Sequence, residues 1–399
     1  MNKKKEAPIL AIQEKLRSLE IPAWLFYGFK NIDPIAANIL KLPSDHLVTR
    51  RWFYLIGTTG EPQKIVHKIE STMLDHLPGN KIVYLSWQQL HTHLQVLLND
   101  YECIAMQHSE KGTIPSIAQV DGGTIDLVRS CNTKVISSGD LIQHFESVWT
   151  INQLAQHRQT AHTLTNIVNK TFAETARQIS FGNSTTELTV QDAILDSFQK
   201  EGLTNQHPPI VAVNENSADP HYQSGLHQDC VIKKGDFLLI DLWAKASGED
   251  GVYADITWTG FFGPTPSKKL QEIFEIVRLS REKGVDLLRQ RFQTSTPLQG
   301  WEVDDAVREV ISQAGYQDFF LHRTGHNLGS ELHGNGLHFD NLETHDTRLA
   351  IPGICCTIEP GIYLPGKFGI RSEINVYLDE KGPEVTTPAQ QKLLVFPIS

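Results

Sequence analysis

The chain has 399 residues, with 36 lysines and arginines against 46 aspartates and glutamates, so its formal charge is −10. The acid excess argues against a nucleic-acid binder, which needs a basic face to displace counterions from phosphates. Five scattered cysteines without CxxC spacing exclude a disulfide framework and a cysteine-rich zinc site, and they favour the reducing cytoplasm.

The charge is unevenly distributed. Residues 1–150 hold 15 basic and 15 acidic side chains, so residues 151–399 hold 36 − 15 = 21 basic and 46 − 15 = 31 acidic ones. No segment approaches the ~18–20 uninterrupted apolar residues of a membrane span. The segment AIQEKLRSLE is charged where a signal peptide needs an apolar run. We therefore expect neither a targeting segment nor a membrane partner.

The first part of the chain predicts a small α/β domain over residues 1–149. Helical spacing covers Ile9–Leu19 and Trp87–Leu98. Strand patterns bounded by turns occur in AWLFYGF, HLVTRRWFYLI, KIVYLSW and ECIAM. Nothing in this part clusters into a reactive set of side chains.

Residues 150–399 predict a second domain with an internal repeat. A long amphipathic helix covers about residues 151–179, and a second long helix covers about 268–291. Each precedes a shorter helix that stops at a glycine, Gly202 or Gly315, and the two shorter helices align at an offset of 113 residues. Each half then continues into a β-hairpin. This α/β (α+β) pattern predicts two halves related by a pseudo-twofold axis.

The two hairpins carry carboxylates at the same spacing. The members of each pair are fourteen positions apart, and the pairs are Asp241 with Asp255 and Glu359 with Glu373. The midpoints are Gly248 and Gly366. Residues equidistant from the centre of a hairpin lie directly opposite on one face, with Cβ atoms about 4.5–5.5 Å apart. Each hairpin is therefore predicted to present two adjacent carboxylates.

Paired carboxylates among apolar neighbours are costly, because like charges repel and burial removes their solvation. One such pair could share a proton as a dyad, or it could lie at an exposed edge. Two pairs with identical spacing, one in each repeat, favour one or two divalent cations between them, because carboxylate oxygens are hard ligands.

A histidine-rich segment lies between the hairpins. LHRTGHNLGSELHGNG contains His322, His326 and His333, together with glycines that permit close backbone approach. Three histidines within twelve residues favour a ligand or an active-site role over isolated structural histidines. The absence of HExxH excludes the zincin arrangement.

These residues together resemble a known family. Its five metal ligands match, in order, Asp241, Asp255, His326, Glu359 and Glu373. The strings LLID, ADIT, HRTGHNLGSELH, TIEPGIY and GIRSE also match the pita-bread metallopeptidases, which include aminopeptidase P, prolidase and methionine aminopeptidase. The resemblance covers about residues 150–399. On weaker grounds, residues 1–149 resemble the N-terminal domain of the aminopeptidase P, prolidase and creatinase branch.

The resemblance implies a dinuclear centre. Asp241 would chelate one metal ion, Asp255 and Glu373 would bridge both, and His326 with Glu359 would complete the second. The ions would be manganese first, with cobalt or zinc as alternatives. Two ions about 3.5–4 Å apart can hold a bridging water, lower its pKa and polarise a scissile carbonyl, so that the water or hydroxide attacks it.

The resemblance also implies roles around the centre. Glu359 would shuttle a proton, His221 in ADPHYQSG would lie beside the substrate, and His333 would contact the carbonyl or the tetrahedral intermediate. Arg371 in GIR would position a carboxylate or a bridging ligand, and His322 would form part of the pocket wall.

The implied function is hydrolysis of Xaa-Pro peptides by a cytoplasmic homodimer. Dipeptidase and aminopeptidase P activities remain unseparated, because they differ in how the end of the cleft is closed. A creatinase-like C–N hydrolase and a non-catalytic pita-bread binding protein are the alternatives, and the complete ligand set disfavours both. Three departures from the family pattern bear on specificity. Trp258 stands where arginine is usual and would alter the pocket, and Ile374 stands where an acid is common. The Asp241–Asp255 hairpin is longer than usual, and its loop around 248–251 would reach the cleft.

Overall fold

The computed structural model describes residues 7–43, 48–226, 228–248 and 250–398. The chain divides into two compact units, Met1–Glu146 and Ser147–Ser399. The sequence predicted a domain boundary between residues 149 and 150, which is three residues C-terminal to the boundary in the structure, between 146 and 147. His46 and Leu47, at the start of one predicted strand, lie outside the described residues, as does Glu249 in the turn of the first hairpin.

The first unit is a six-stranded mixed sheet between two layers of helices. Its strands, in the spatial order β4-β3-β2-β1-β5-β6, are β1 (Ala23–Gly28), β2 (Trp52–Gly57), β3 (Gln63–His67), β4 (Asn80–Tyr84), β5 (Cys103–Met106) and β6 (Lys134–Ser137). Its helices are α1 (Ile9–Ser18), α2 (Pro34–Leu40), α3 (Trp87–Leu98), α4 (Gly122–Arg129) and α5 (Gly139–Glu146). Successive residues of a strand face opposite sides, so in β1 Trp24 packs in one apolar core and Leu25 in the other.

The second unit repeats one plan twice. The first half contains α6 (Ile151–Ser180), α7 (Glu187–Lys200), β7 (Leu203–Thr204), β8 (Ile210–Val213), β9 (Phe237–Ala246) and β10 (Ala254–Phe262). The second half contains α8 (Lys268–Gln293), α9 (Gly300–Gln313), β11 (Asn327–Leu328), β12 (Cys355–Ile358), β13 (Gly361–Leu364), β14 (Phe368–Arg371), β15 (Ile374–Asp379) and β16 (Gly382–Val385). The last strand, β17 (Leu394–Phe396), returns to pair with β10.

Each half of the second unit buries one face of its sheet beneath its own helices. Residues of α6 and α7 pack on β8–β10 in one apolar core, and residues of α8 and α9 pack on β12–β15 in another. Within the described ranges, no helix has the length and apolar character needed to cross a bilayer. The mixed α/β architecture confirms the predicted fold class.

The first hairpin differs from its prediction in register. Asp241 pairs with Thr257, and Asp255 pairs with Trp243. The ladder is therefore centred one residue beyond Gly248, so the two aspartates are diagonal rather than directly opposite. Ala254, the first residue of β10, pairs with Ala244, whereas β9 continues to Ala246, so the two strands end unequally at the turn. One face of the hairpin still carries both aspartates, because alternate residues of a strand point to the same side. The residues on this face are Asp241 and Trp243 of β9, and Asp255 and Thr257 of β10.

The second hairpin has the predicted symmetry. Ile358 pairs with Ile374, and Gly361 pairs with Arg371, so one register continues across the break between the two ladders. Glu359 and Glu373 occupy opposite positions at that break. Gly325 explains how the histidine segment approaches this hairpin, because a Cβ there would lie 1.9 Å from the carbonyl oxygen of Thr357.

Candidate metal centre and active site

A cavity of about 540 Å³ opens in the second unit. All nine residues predicted for the site line it: Asp241, Asp255, His326, Glu359, Glu373, His221, His322, His333 and Arg371. The two hairpins contribute the carboxylates, and the segment between α9 and β12 contributes three histidines. The fold thus brings together residues that are up to 152 positions apart in the sequence.

Three of the predicted ligands form the tightest group. Asp255, His326 and Glu373 are buried, and each offers one potential ligand atom within 4.8 Å of the other two. His326 Nε2 lies 3.6 Å from Asp255 Oδ2 and 3.4 Å from Glu359 Oε1. Asp241 and Glu359 lie outside this tight group, and the carboxylate of Asp241 forms an ion pair with Arg371.

The histidine at the centre is oriented as a ligand. His326 Nδ1 faces the carbonyl oxygen of Asn327 at 3.4 Å, so this nitrogen carries the proton of the neutral ring. Burial, with the charges of His333 and Arg323, lowers the pKa of His326 well below its usual range. The lone pair of Nε2 is therefore directed at two carboxylates. A cation between these groups turns this repulsive arrangement into coordination.

The hydroxyl of Thr257 occupies a similarly crowded position. It lies 2.9 Å from Asp241 Oδ1 and 2.8 Å from Glu373 Oε2, and it accepts a hydrogen bond from Arg371 Nε at 2.9 Å. A hydroxyl has one proton to donate, so it satisfies only one of the two carboxylates when both are ionised. Among the described residues, Asp255 Oδ1 and Glu373 Oε1 are buried without any hydrogen-bond partner. This donor set fits divalent metal ions.

Without metal, the carboxylates disfavour one another's ionisation. Burial and the neighbouring Asp241 charge raise the pKa of Asp255 well above its usual range. Burial and the Asp255 charge likewise raise the pKa of Glu373 well above its usual range. Burial raises the pKa of Glu359 to about 7, although the Arg371 guanidinium opposes the shift.

These shifts predict how the stability of the metal-free protein depends on pH. The ordinary pKa of a glutamate is 4.5 and that of Glu359 here is about 7, so between these values the folded protein binds more protons than the unfolded chain. Its free energy of unfolding is therefore greatest below this window and falls as pH rises through it. We expect the melting temperature of EDTA-treated protein to fall from pH 5 to pH 7, and Mn²⁺ to raise it again at pH 7.

Differential scanning calorimetry measures this effect. The Glu359→Gln variant is the control, because removing one titrating group is expected to flatten the pH dependence. A wild-type melting temperature with the same pH dependence as the variant would contradict the prediction.

Arg371 connects the two hairpins. Its guanidinium forms an ion pair with Asp241 and donates to the hydroxyls of Thr257 and Tyr363. Tyr363 in turn lies 2.7 Å from His322 Nε2, whose ring donates from Nδ1 to the carbonyl of Arg323. Arg371 therefore contacts Asp241 in the first hairpin and Tyr363 in the second, and its predicted role of positioning a carboxylate stays a prediction.

The other two histidines lie at the cavity wall. The ring centroid of His333 is 4.2 Å from that of His326. Desolvation, together with the charges of Arg323 and His221, lowers the pKa of His333 to about 4. His333 is therefore neutral near pH 7 and able to donate one hydrogen bond. His221 is exposed, and its backbone N–H donates to Asp219.

Sequence reasoning missed four further residues of the site: Thr257, Tyr363, Trp243 and Arg323. Thr257 follows Asp255 by two positions, and Trp243 follows Asp241 by two, so strand alternation was a signal for both. Tyr363 follows Glu359 by four positions within TIEPGIY. Arg323 lies inside HRTGH, where only the histidines were singled out.

The three sequence departures lie away from the cavity wall. Trp258 is buried in the apolar core beneath α6, on the opposite face of β10 from Asp255. Ile374 is buried in the core of the second half. No described residue of the loop between β9 and β10 lines the cavity. The expectations that Trp258 would alter the pocket and that this loop would reach the cleft are therefore wrong for the described residues.

Comparison with known proteins identifies the class. The sequence model of metallopeptidase family M24 matches residues 156–380, which is more than half of the chain. The chain belongs to metallopeptidase family M24. A crystal structure of dipeptidase PepE from Mycobacterium ulcerans shares the fold, with a TM-score of 0.67 at 19% identity and with 98% of this chain and 97% of that one covered.

The curated relatives include proteins named Xaa-Pro dipeptidase. The protein from Pyrococcus furiosus is 34% identical over 185 residues, which are 46% of this chain and 48% of the relative. The protein from Lactobacillus delbrueckii subsp. lactis is 28% identical over 264 residues, or 65% of each chain. The matches thus span about half and just under two thirds of the length of these relatives.

Proposed function

We propose that this protein is a dinuclear metal-dependent peptidase that hydrolyses Xaa-Pro peptide bonds. The observation that carries the proposal is the convergence of five potential ligands and four further polar side chains on one cavity. The family match and the relatives named Xaa-Pro dipeptidase support the same reaction.

The metal ions would be held by Asp241, Asp255, His326, Glu359 and Glu373. Manganese is the first choice of metal, and cobalt or zinc are the alternatives. When bound, the ions supply Lewis acidity, which polarises the scissile carbonyl and lowers the pKa of water. The chain's own residues then position the substrate and move protons.

Glu359 would accept and return a proton. Its carboxylate lies next to His326 and accepts from the Thr357 hydroxyl at 3.0 Å. His333 would donate a hydrogen bond to the substrate carbonyl, and His221 would contact the substrate at the exposed rim. His322 would act through the hydroxyl of Tyr363, as part of the wall.

The proline preference has a physical basis. The Xaa-Pro bond has no N–H, so the site needs only to hold the carbonyl and to accommodate the ring. Ile210, Trp243 and Leu332 line the cavity and pack around one apolar cluster. This surface would contact the pyrrolidine ring. The scattered cysteines support a cytoplasmic location, and the family branch supports a homodimer.

The test is a substrate panel with the purified protein, loaded with Mn²⁺, Co²⁺ or Zn²⁺. We expect cleavage of Leu-Pro to exceed that of Leu-Ala, and chelation by EDTA to abolish it. Mass spectrometry of the products measures both. A protein that binds metal but cleaves neither peptide would contradict the proposal, and hydrolysis of creatine instead would support the creatinase-like alternative.

A further inference from the structure

One buried amide side chain contacts both backbone polar groups of a predicted metal ligand. Oδ1 of Asn375 accepts a hydrogen bond from the N–H of Asp255 at 3.0 Å, and Nδ2 of Asn375 donates to the carbonyl of Asp255 at 2.7 Å. Reversing the amide would place like groups against each other at both contacts, so this orientation alone satisfies both. Asn375 is fully buried, and its two contacts together fix the backbone on both sides of the Asp255 Cα.

The contact lies where β10 has little support from a neighbouring strand. Along one edge β10 pairs with β9, and along the other edge β17 reaches only Gly260–Phe262. Among the described residues, a side chain rather than a strand therefore completes the backbone hydrogen bonds of Asp255. An amide presents a donor and an acceptor side by side, as a residue of a paired strand does. Asn375 thus takes the place of a strand residue at this point of the edge.

The backbone of Asn375 is itself fixed. Its N–H donates to Thr387 Oγ1 at 2.8 Å, and its carbonyl accepts from the N–H of Thr386 at 2.9 Å. In the ladder between β12 and β15, it lies opposite Thr357. Since both of its backbone polar groups are bonded, the short side chain of Asn375 has a fixed origin from which it reaches β10.

Asn375 connects strands that carry predicted ligands. Its strand, β15, begins directly after Glu373, and its side chain holds the backbone of Asp255. Its ladder partner, Thr357, is bonded to the backbone of His326 through its hydroxyl and its N–H. The position of Asp255 relative to Glu373 and His326 therefore depends on this amide. Metal–ligand distances vary by only about 0.2 Å, so a small shift of β10 would weaken binding.

We propose that Asn375 is a positioning residue for the metal centre, which holds Asp255 at the distance from Glu373 at which both carboxylates bind the same metal ions. Within the described chain, Asn375 does not line the cavity, so it acts through Asp255. The inference rests on the proposed dinuclear centre and adds to it a residue that sets the geometry of the ligands.

The chain offers a matched control on the same strand. Gln390 makes the same two contacts with Thr259: its Oε1 accepts from the N–H of Thr259 at 3.0 Å, and its Nε2 donates to the carbonyl of Thr259 at 2.7 Å. Gln390 is also buried, but Thr259 is not one of the predicted ligands. Loss of either amide should destabilise the fold, and only loss of Asn375 should disturb the metal centre.

Calorimetric titration with Mn²⁺ tests this difference on Asn375→Leu and Gln390→Met, in which an apolar side chain of similar size replaces each amide. We expect Asn375→Leu to bind Mn²⁺ roughly 10- to 100-fold more weakly than the wild type, and Gln390→Met to bind it as tightly as the wild type. Thermal unfolding in EDTA should show that both variants fold and that both melt below the wild type. If Asn375→Leu does not fold, Asn375→Ala, which leaves room for water, is titrated with the same expectation.

The outcomes separate this inference from the proposed function. If both variants bind Mn²⁺ like the wild type, or both lose affinity equally, the positioning role is overturned, and cleavage of Leu-Pro by the wild type would leave the peptidase proposal intact. If the wild type binds Mn²⁺ without cleaving Leu-Pro, and only the change at Asn375 weakens metal binding, the peptidase proposal fails and the positioning role stands. A wild-type protein that binds no Mn²⁺ would overturn both.

Discussion

Asp255→Asn is expected to lower the kcat/KM of the metal-loaded protein by more than about 100-fold, since changes outside the ligands alone cost roughly 10- to 100-fold. Asp255 is buried beside His326 and Glu373, and one of its oxygens is without a hydrogen-bond partner among the described residues. The same substitution removes one of several mutually repelling charges. We therefore expect the metal-free variant to be more stable than the metal-free wild type at pH 7.

Opposite effects on activity and stability distinguish this prediction from simple misfolding. Steady-state kinetics measures the first effect, and thermal unfolding in EDTA measures the second. Asp33→Asn is the matched control, because Asp33 is also buried with a pKa raised to about 6, but it caps α2 in the first unit. Asparagine keeps that cap, so activity should be unchanged. An Asp255→Asn variant that is both destabilised and fully active would contradict the assignment.

Arg371→Met is expected to destabilise the metal-free protein by about 3–5 kcal/mol, because it leaves the buried carboxylate of Asp241 without its cation. The methionine retains much of the apolar stem but none of the donors. Metal ions bound near Asp241 would supply positive charge in place of the guanidinium. The loss in free energy of unfolding should therefore be smaller in the presence of saturating Mn²⁺.

Urea unfolding with and without Mn²⁺ measures this difference. Arg348→Met is the matched control, because Arg348 forms a buried ion pair with Asp346 outside the cavity. Arg348→Met should lower the free energy of unfolding by a similar amount, and this loss should be the same with and without Mn²⁺. If Mn²⁺ offsets both losses equally, the metal does not act on Asp241.

The helices of the second unit illustrate what sequence alone can predict. Apolar periodicity predicts a helix over residues 151–179, and the structure contains it over Ile151–Ser180. The start is well defined because Thr150 and Gln153 form a capping box. Family motifs likewise pointed to candidate ligand residues, and these residues line one cavity. Such motifs can be recognised in a sequence because they are short and contiguous.

The register of the first hairpin could not be predicted in this way. Counting outward from Gly248 assumes a symmetric turn, whereas the ladder is centred one residue later. The two strands end unequally at the turn, and the composition of the turn does not reveal this asymmetry. The result is a diagonal pair of aspartates with Thr257 inserted opposite Asp241, which is why this hydroxyl contacts two carboxylates.

Contacts between distant segments were also beyond the reach of the sequence pattern. Tyr363 matters because it joins Arg371 to His322, and these contacts exist only after the histidine segment packs against the second hairpin. Trp258 shows the converse. It stood out as a substitution in a motif, but strand alternation directs it into the apolar core rather than the cavity.

The most direct test of the account is a crystal structure of the protein grown with Mn²⁺, with anomalous diffraction used to locate the metal. We predict two anomalous peaks in the cavity, about 3.5–4 Å apart. Both peaks should contact Asp255 and Glu373, one of them should also contact Asp241, and the other should contact His326 and Glu359. A cavity without an anomalous peak, in crystals of protein saturated with Mn²⁺, would contradict the account.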